Sequence, residues 1–352
     1  MKIFICYRYG ILGGCASQLV QRLRGMTPEA RSQVTIVFGE EHGASPAFDG
    51  LCDVRIAKGG AFGSLLDELG PDVVSIIDSP EFVAPSRRRG IPVCFEVHTT
   101  VERGLAHFAD RDWTADLWLV PSEFSRDMVR RRGFIKEDER LELLPNCLDT
   151  AMFMPDGDAR RLESPPIVWV GKLDEHKNWR DAVDVMGRVA ATRDVQCWVV
   201  GGVTAPPQPM RELIGAARRH DLLGRFHWWP QVEYHHMPYL YRTAAASGGC
   251  MLITSIAESF GMCAAEALAC GLPIVSTPVG AIEEMTDGSG FGALFDHGDI
   301  PLAADEVVAC LDEPSEQRSE AAERCRGLLK SCDTVAVASK FMDLLSSISS
   351  EP

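Results

Sequence analysis

Residues 251–280 read MLITSIAESFGMCAAEALACGLPIVSTPVG, and their pattern of apolar and helix-ending residues indicates the fold class. Two short apolar runs, 251–253 and 274–276, predict buried strands. Between them, the segment that ends at Gly271-Leu272-Pro273 predicts a short helix, because glycine and proline terminate helices. Strand, helix and strand in this order indicate two parallel strands with the helix covering the sheet.

The same stretch carries two glutamates, Glu258 and Glu266, eight positions apart. Glu258 follows the first strand, at the edge where open α/β sheets bind ligands. Glu266 lies in the first turns of the helix, whose N–H groups around Gly261 and Met262 favour an anion such as a diphosphate. Such spacing also arises by chance in acidic chains, so a pair of solvated carboxylates is the alternative.

The composition is that of a globular protein large enough for two domains. The chain has 352 residues, 46% hydrophobic and 24% charged, and a net charge of −15. This acidity argues against a nucleic-acid-binding protein, which needs a basic surface. The sequence has no apolar stretch near the ~20 residues of a membrane span, and its start, MKIFICYRYG, does not resemble a signal peptide. Twelve cysteines without a C-x-x-C pair predict free thiols and a cytoplasmic location.

Short apolar runs alternate with helix-like segments in both halves, which predicts two doubly wound α/β domains. The predicted strands are 2–6, 34–38, 54–56, 73–77, 93–97, 117–120 and 141–144, then 167–170, 196–200, 226–228, 251–253, 274–276 and 292–295. A polar segment rich in proline, 154–166, predicts the linker. The expected domains are 1–155 and 156–332, followed by a terminal helical segment, 333–352.

Three further segments place ligand-binding residue types after predicted strands. The loop GILGG at 10–14 opens the first helix, where glycine permits close approach of a phosphate; an ordinary strand-to-helix turn is the alternative. His98 follows the strand 93–97 and therefore lies at the ligand-binding edge. Lys172 and Lys177 follow the strand 167–170 and supply the positive charge that a diphosphate needs in an acidic domain.

Together these segments resemble the retaining glycosyltransferases of family 4, whose Glu-x7-Glu signature has the spacing of Glu258 and Glu266. The stretches VPSEFS at 120–125, LPNCLDTAMF at 144–153 and WPQV at 229–232 also fall where that family places them. The resemblance implies the GT-B fold: two Rossmann-like domains with a cleft between them and a C-terminal helix that crosses back to the first. It implies transfer of a sugar from a nucleoside diphosphate sugar to a small soluble or glycan acceptor on the first domain, without a metal or other cofactor.

The resemblance also implies roles for the matching residues. Glu266 accepts hydrogen bonds from the ribose hydroxyls, and Glu258 holds the transferred sugar, which His98 approaches. The candidate catalytic residues are Glu258, His98, Lys172 and Lys177. The candidate donor-binding residues are Gly13, Gly14, Lys172, Lys177, Gln231, Val232, Glu258, Phe260, Gly261, Met262 and Glu266.

The chain departs from the family pattern at several of these motifs. Lys172 stands where arginine is usual, which keeps the charge but loses the planar fork that binds two phosphate oxygens. Asn178 and Cys147 each stand where glycine is usual. In the loop after residue 280, Ala281 and Glu283 replace a glycine and a proline, and Glu284 supports the site or is simply a solvated residue at a helix start.

Other interpretations remain open at the level of sequence. The adjacent His235 and His236 lack a third ligand at suitable spacing, so no metal site is expected. The basic segments 87–89 and 126–136 predict solvated surfaces rather than membrane-docking ones. A nucleotide-sugar 2-epimerase, which needs no acceptor, and a non-catalytic sugar-nucleotide-binding protein are the alternative functions. A monomer or homodimer is expected, and acceptor specificity is expected around Ile11, Glu81 and His107.

Overall fold

The computed structural model describes residues 1–11, 13–58, 60–100, 102–108, 111–202 and 208–349. The chain divides into two compact units, one of Met1–Asp149 with Ser331–Pro352 and one of Thr150–Lys330. The predicted linker 154–166 therefore falls inside the second unit. Hydrogen bonds explain this placement, because the backbone N–H of Arg160 donates to Thr243 Oγ1 at 3.2 Å and that of Leu162 to Ser247 Oγ at 2.9 Å.

The first unit is built on a seven-stranded parallel sheet with the order β3-β2-β1-β4-β5-β6-β7. Its strands are β1 (Ile3–Ile11), β2 (Val34–His42), β3 (Asp53–Ile56), β4 (Val73–Ile77), β5 (Val93–Glu96), β6 (Leu117–Val120) and β7 (Leu141–Leu143). Its α-helices are α1 (Gly14–Gly25), α2 (Pro28–Arg31), α3 (Ala61–Leu69), α4 (Val83–Arg87), α5 (Glu102–Leu105), α6 (Glu123–Arg131) and, near the C-terminus, α14 (Thr334–Ser349).

The second unit is built on a six-stranded parallel sheet with the order β10-β9-β8-β11-β12-β13. Its strands are β8 (Pro166–Val170), β9 (Gln196–Val200), β10 (Phe226–Trp229), β11 (Cys250–Ile253), β12 (Ile274–Ser276) and β13 (Gly292–Leu294). Its α-helices are α7 (Trp179–Ala190), α8 (Gln208–Arg219), α9 (Met237–Ala246), α10 (Met262–Ala269), α11 (Ala281–Ser289), α12 (Ile300–Leu311) and α13 (Ser315–Leu329). Short 3₁₀ turns are Ser45–Phe48, Pro80–Phe82, Ala106–Phe108, Tyr234–His236 and Lys330–Cys332.

The terminal helix α14 packs on the first unit, as expected. Its apolar face, which includes Phe341 and Leu345, is buried in the same core as Ile3 of β1 and Leu19 of α1. The two helices approach closely, because a Cβ atom on Gly25 would lie 2.1 Å from the backbone oxygen of Thr334. None of the described helices is long and apolar enough to cross a membrane.

All thirteen predicted strands are found among the described residues, which confirms the prediction of two parallel α/β domains. The largest difference is β1, which continues to Ile11 although its apolar run ends at Cys6. Its second half pairs with β2, where Tyr9 lies beside Glu40 and Ile11 beside His42. Strand pairing rather than apolar pattern extends this strand.

The strand order reverses at β1 and β4 in the first unit and at β8 and β11 in the second. In doubly wound sheets, ligands bind beyond the carboxyl ends of the strands at this switch point. The loops after β8 and β11 carry Lys172, Lys177 and Glu258. The topology of the second unit therefore brings the predicted donor-binding segments to the edge at which doubly wound sheets generally bind ligands.

Candidate functional site

An ion pair joins the two loops at the switch point of the second unit. Lys177 Nζ donates to Glu258 Oε1, and Ser255 Oγ donates to the same oxygen at 2.8 Å. The side chains of Lys177 and Glu258 are 25% and 15% exposed. Burial acts to lower the pKa of Lys177, but the attraction and hydrogen bond of Glu258, together with the attraction of Cys263 and Asp174, outweigh it, so the pKa is raised. Two predicted site residues are thus in direct contact, although sequence reasoning gave them different partners on the donor.

Thr254 fastens the loop after β8 to the end of β11. Its Oγ1 lies 3.1 Å from the backbone oxygen of Lys177 and 2.9 Å from that of Asn178, and it accepts a hydrogen bond from Trp169 Nε1 at 3.2 Å. The backbone N–H of Ile256 also donates to the backbone oxygen of His176 at 2.9 Å. Thr254 holds Lys177 in place, a role that sequence reasoning missed although a threonine directly after a buried strand was visible.

Asn178 explains one departure from the family pattern. It precedes α7 with φ of +48°, in the left-handed region that glycine occupies without strain and that asparagine tolerates better than other residues. Its Nδ2 donates to Asp181 Oδ2 at 2.7 Å, inside the first turn of that helix.

Cys147 is the other position where the family usually has glycine. It is fully buried in the core of the first unit, and burial raises its pKa to about 12.

Two glycines shape the backbone around Glu258. Gly261 precedes α10 with φ of +87°, and a Cβ there would lie 2.8 Å from Ile282 Cγ1. Gly280 has φ of +60°, and a Cβ there would lie 1.8 Å from the backbone oxygen of Glu258. The loop before α11 therefore supports Glu258 through its backbone, which requires glycine at position 280.

Glu266 is buried on α10, where it is only 5% exposed. Tyr241 Oη donates to its Oε2 at 3.2 Å. Burial raises the pKa of Glu266 to about 7, while hydrogen bonds from Tyr241 and Tyr234 act in the opposite direction. The two tyrosines were not among the predicted residues, because nothing in the sequence indicates that α9 and the turn before it face α10.

The two glutamates share one electrostatic environment. Cys263, in the first turn of α10, interacts with both, and its pKa is raised to about 12 by burial and then by the Glu266 carboxylate, with a smaller contribution from Glu258. The first backbone N–H groups of any α-helix have no acceptor within that helix. In α10 these groups begin at Met262. The site therefore combines the ion pair of Lys177 and Glu258, a buried glutamate with a raised pKa and a helix N-terminus that favours anions.

The remaining predicted residues of the second unit lie on the same strand ends but differ in exposure. Lys172 is exposed in the loop after β8. Gln231 is exposed and Val232 is half-buried in the loop after β10. Phe260 is buried and Met262 is half-buried. Glu283 and Glu284 are both exposed in the first turn of α11.

The predicted residues of the first unit lie after β1 and β5. Gly13 precedes α1 in an extended conformation. A Cβ on Gly14 would meet no described atom within 4 Å, so position 14 does not need glycine for the fold of its own unit. His98 follows β5, and its Nε2 lies 3.1 Å from Glu96 Oε2. Its backbone N–H donates to Asp78 Oδ1 at 3.0 Å. Burial raises the pKa of Asp78 to about 6.

The first unit also contains a cavity of about 480 Å³ at the carboxyl ends of β1, β2 and β4. Arg8 and Glu81 line it and form two hydrogen bonds, from Nε and Nη2 of the arginine to the two carboxylate oxygens at 2.5 and 2.6 Å. Phe62 and Phe82 line it as well, with their rings 4.7 Å apart in an edge-to-face arrangement, and Arg88 adds a further cation. Sequence analysis predicted that Glu81 contributes to acceptor specificity, and the structure places it in the wall of this cavity.

The basic segments are largely neutralised by neighbouring groups. In 87–89, Arg87 pairs with Asp116 and Arg89 pairs with Asp67. In 126–136, ion pairs join Arg126 to Glu123, Arg131 to Asp127 and Arg132 to Glu102. These pairings fit solvated surfaces better than a cationic membrane-docking face.

The prediction that His235 and His236 lack a third ligand was wrong. Glu233 lies beside them, and one ligand atom from each of the three residues falls within 4.8 Å of the others. The 3₁₀ turn Tyr234–His236 bends the chain back on itself, which a linear spacing does not show. All three side chains are exposed, so this group lies on the surface.

Two family models match the chain, one in each unit. Residues 19–152 match the model described as Glycosyltransferase Family 4, and residues 164–313 match the model described as Glycosyl transferases group 1. The first match includes His98, and the second includes Lys177, Glu258 and Glu266.

Curated relatives match part of the chain. It is 28% identical over 235 residues to the D-inositol 3-phosphate glycosyltransferase of Xylanimonas cellulosilytica, and the aligned region covers 63% of this chain and 54% of the relative. It is 26% identical over 184 residues to the probable sucrose-phosphate synthase of Thermosipho melanesiensis, which covers 51% of this chain and 42% of the relative. The chain thus spans about half the length of the curated relatives it matches.

A solved structure matches nearly the whole chain. Anabaena HepE in complex with UDP aligns with a TM-score of 0.82 and 16% identity, covering 99% of this chain and 100% of HepE. At this identity the likeness concerns the fold, which is GT-B.

Proposed function

Because the chain belongs to glycosyltransferase family 4, we propose that it is a retaining enzyme that transfers a sugar from a nucleoside diphosphate sugar to a hydroxyl group of an acceptor. The observation that carries the proposal is the contact between Lys177 and Glu258 at the switch point of the second unit, close to the buried Glu266. This arrangement offers a cation for the leaving diphosphate, a carboxylate for the sugar and a second carboxylate for the ribose.

Each group has a chemical task in this proposal. Lys177 and the exposed Lys172 stabilise the negative charge that develops on the diphosphate as its bond to the sugar breaks. Glu258 and the backbone around Gly261 bind the sugar, and the ionised form of Glu266 accepts hydrogen bonds from the ribose. Gln231 and Val232 flank the base, Gly13 and Gly14 leave room for the phosphates, and His98 approaches the sugar.

We propose that the transfer needs no metal ion. Divalent cations assist many transferases by neutralising the diphosphate, a task that the two lysines perform here. Retention then follows from attack on the same face of the sugar that the leaving group departs from, with the leaving phosphate accepting the acceptor's proton. Activity that resists EDTA, together with a product of unchanged anomeric configuration by NMR, supports this mechanism. Restoration of lost activity by Mg²⁺ or Mn²⁺ contradicts it.

We propose that the acceptor binds in the cavity of the first unit. Its volume of about 480 Å³ is suited to a small polyhydroxylated molecule or to the end of a glycan. Arg8 and Glu81 offer paired donors and acceptors for hydroxyl groups, and the buried rings of Phe62 and Phe82 form part of the cavity wall. The exposed cation Arg88 favours an acceptor that carries an anionic group.

The first experiment is a thermal-shift screen of UDP-, GDP- and ADP-sugars, because a ligand that binds the native state raises the apparent stability. UDP-glucose is the first probe, since HepE has been solved with UDP-glucose bound. Incubation with donor alone and with donor plus sugar or sugar-phosphate acceptors then separates the possible activities. A new glycoside supports transfer, an epimerised donor supports an epimerase, and an unchanged donor in every mixture contradicts both.

A further inference from the structure

A buried ion pair lies behind His98 in the core of the first unit. Arg22 of α1 is fully buried, and Glu96, the last residue of β5, is 1% exposed. Nη1 and Nη2 of Arg22 donate to the two carboxylate oxygens of Glu96 at 2.8 Å each. The guanidinium also lies over the ring of Phe341 in α14, 4.4 Å from its centroid.

The carboxylate of Glu96 has two more partners, one on each oxygen. Ser75 Oγ donates to Oε1 at 2.7 Å, and His98 Nε2 lies 3.1 Å from Oε2. Burial acts to raise the pKa of Glu96, but Arg22 and the hydrogen bond with His98 outweigh it and hold the pKa well below its usual range. Glu96 is therefore ionised and can only accept hydrogen bonds.

This pairing dictates the form of the imidazole. Because Glu96 cannot donate, the proton between the two groups belongs to Nε2 of His98. In the neutral form of the ring, Nδ1 is then the acceptor. The backbone of His98 is held at the same time by Asp78. The side chain is 10% exposed, so it reaches the surface at the carboxyl end of β5 while its Nε2 edge faces the core.

We infer that Glu96 is a positioning residue for His98, with Arg22 as the counter-ion that keeps Glu96 ionised in the core. The inference rests on the proposed function, in which His98 approaches the donor sugar. A buried ion pair seldom adds stability over well-packed apolar residues of similar volume. Its retention beside a histidine at a ligand-binding edge points to orientation of the ring, so that Nδ1 faces the substrate as a hydrogen-bond acceptor.

The main test is the double variant Arg22→Met with Glu96→Leu, which replaces both charges by apolar groups and so avoids leaving one charge buried alone. The tautomer of His98 is measured by ¹H–¹⁵N NMR of histidine-labelled full-length protein, with the His98 signals assigned from their loss in His98→Asn. The wild type is expected to show the Nε2–H form, and the double variant a mixture of tautomers. With UDP-glucose as the probe, donor turnover is expected to fall about 10- to 100-fold in kcat, with unchanged affinity for UDP-glucose.

Two further variants separate positioning from packing. Arg22→Lys retains a counter-ion and is expected to keep the Nε2–H form and most of the turnover. Ser75→Ala removes a hydrogen bond to the carboxylate oxygen that does not face His98, so it is expected to leave the tautomer unchanged. Loss of the Nε2–H form in Ser75→Ala contradicts a specific role for the Glu96–His98 contact.

Several results overturn the inference. The inference is contradicted if His98 of the wild type is found in the Nδ1–H form. This measurement needs no variant, so it decides the question even if the double variant fails to fold. The inference is also contradicted if the double variant keeps the Nε2–H form. It is contradicted as well if the double variant loses this form but its kcat is unchanged. A wild type that binds and turns over no nucleotide sugar contradicts the proposed function instead, while the NMR measurement, which needs no ligand, still decides the positioning of His98.

Discussion

Lys177 donates a hydrogen bond to Glu258, and this ion pair joins the loop after β8 to the loop after β11. Both residues were expected in the site, one for the diphosphate and the other for the sugar. Their contact means that the charge of Lys177 is already balanced by a carboxylate. In the proposed mechanism the leaving phosphate and Glu258 share this one cation, so loss of Lys177 is expected to affect both ends of the reacting bond.

Replacement of Lys177 by methionine, which retains the length of the side chain, should lower kcat/KM by about 100-fold or more, because a positioned cation at the developing charge is lost. Steady-state kinetics of UDP release from the donor found in the screen measure the effect. Lys340→Met, which removes an exposed lysine of α14, serves as the control and should leave kcat/KM unchanged. Equal kinetics in the two variants would show that Lys177 has no part in transfer.

Gly280→Ala should weaken donor binding more than a glycine-to-alanine substitution in another loop. The new Cβ would lie 1.8 Å from the backbone oxygen of Glu258, and φ is +60°. The matched control is Gly298→Ala, where φ is +83° but no described atom lies within 4 Å of the new Cβ. Both variants should lose about 1 kcal/mol of stability to backbone strain. Gly280→Ala should lose more stability than the control, and donor affinity as well, because the clash displaces the backbone of Glu258. Calorimetric titration with UDP-glucose measures the difference in affinity; equal affinities in the two variants would exclude support of Glu258 by Gly280.

Glu266 should make stability depend on pH in a definite direction. Its pKa is about 7 in the folded protein against 4.5 for the ordinary side chain, so between these values the folded state holds a proton that the unfolded state has released. Stability from this group therefore falls as pH rises from 4.5 to 7, by about 3 kcal/mol in total, and is constant above that window. Urea unfolding of wild type and Glu266→Gln from pH 5 to 8 measures it.

The variant should gain stability relative to the wild type as pH rises across the window, because glutamine does not ionise. Glu283→Gln, on the exposed first turn of α11, is the control and should track the wild type. If the difference in free energy of unfolding between wild type and Glu266→Gln does not change with pH, Glu266 has the same pKa in the folded and unfolded states. The affinity for UDP-glucose should rise over the same window, because the proposed function assigns the ribose hydroxyl groups to the ionised carboxylate of Glu266.

Asn178 provides a test of backbone conformation. Asn178→Gly restores the residue usual in the family and should retain activity, because glycine adopts φ of +48° without strain. Asn178→Val should cost about 1–2 kcal/mol, since β-branched residues strongly disfavour the left-handed region. Thermal unfolding and donor turnover of the two variants check this. Equal stability of the two variants would mean that the loop before α7 relaxes to another conformation.

Arg88→Ala should raise the KM of an anionic acceptor by about tenfold or more while leaving donor affinity unchanged, since one charged hydrogen bond contributes about 1.5–3 kcal/mol. Arg87→Ala is the neighbouring control, because Arg87 pairs with Asp116 and does not line the cavity. Kinetics with a sugar phosphate and with the corresponding neutral sugar measure the effect. A similar change in both variants, or one that is the same for both acceptors, would argue against the cavity as the acceptor site.

Much of the fold could be predicted because parallel strands buried on both faces are continuous apolar runs, and the helices between them end at glycine or proline. The run 251–253 and the Gly271-Leu272-Pro273 stop both correspond to observed element ends. The polar second half of β1 could not be predicted in this way, because its extension depends on pairing with β2. The same limit applied to Glu233, which a 3₁₀ turn brings beside His235 and His236.

The sequence by itself determined the residue types of the site and their places at strand ends, since the parallel topology follows from the order of elements. Only the tertiary structure decided how those residues are partnered. It paired Lys177 with Glu258, buried Glu266 against Tyr241 and placed Arg22 behind Glu96 and His98. The physical reason is that charge state and orientation depend on burial and on neighbours distant in the chain, such as Glu96, which is 74 positions from Arg22.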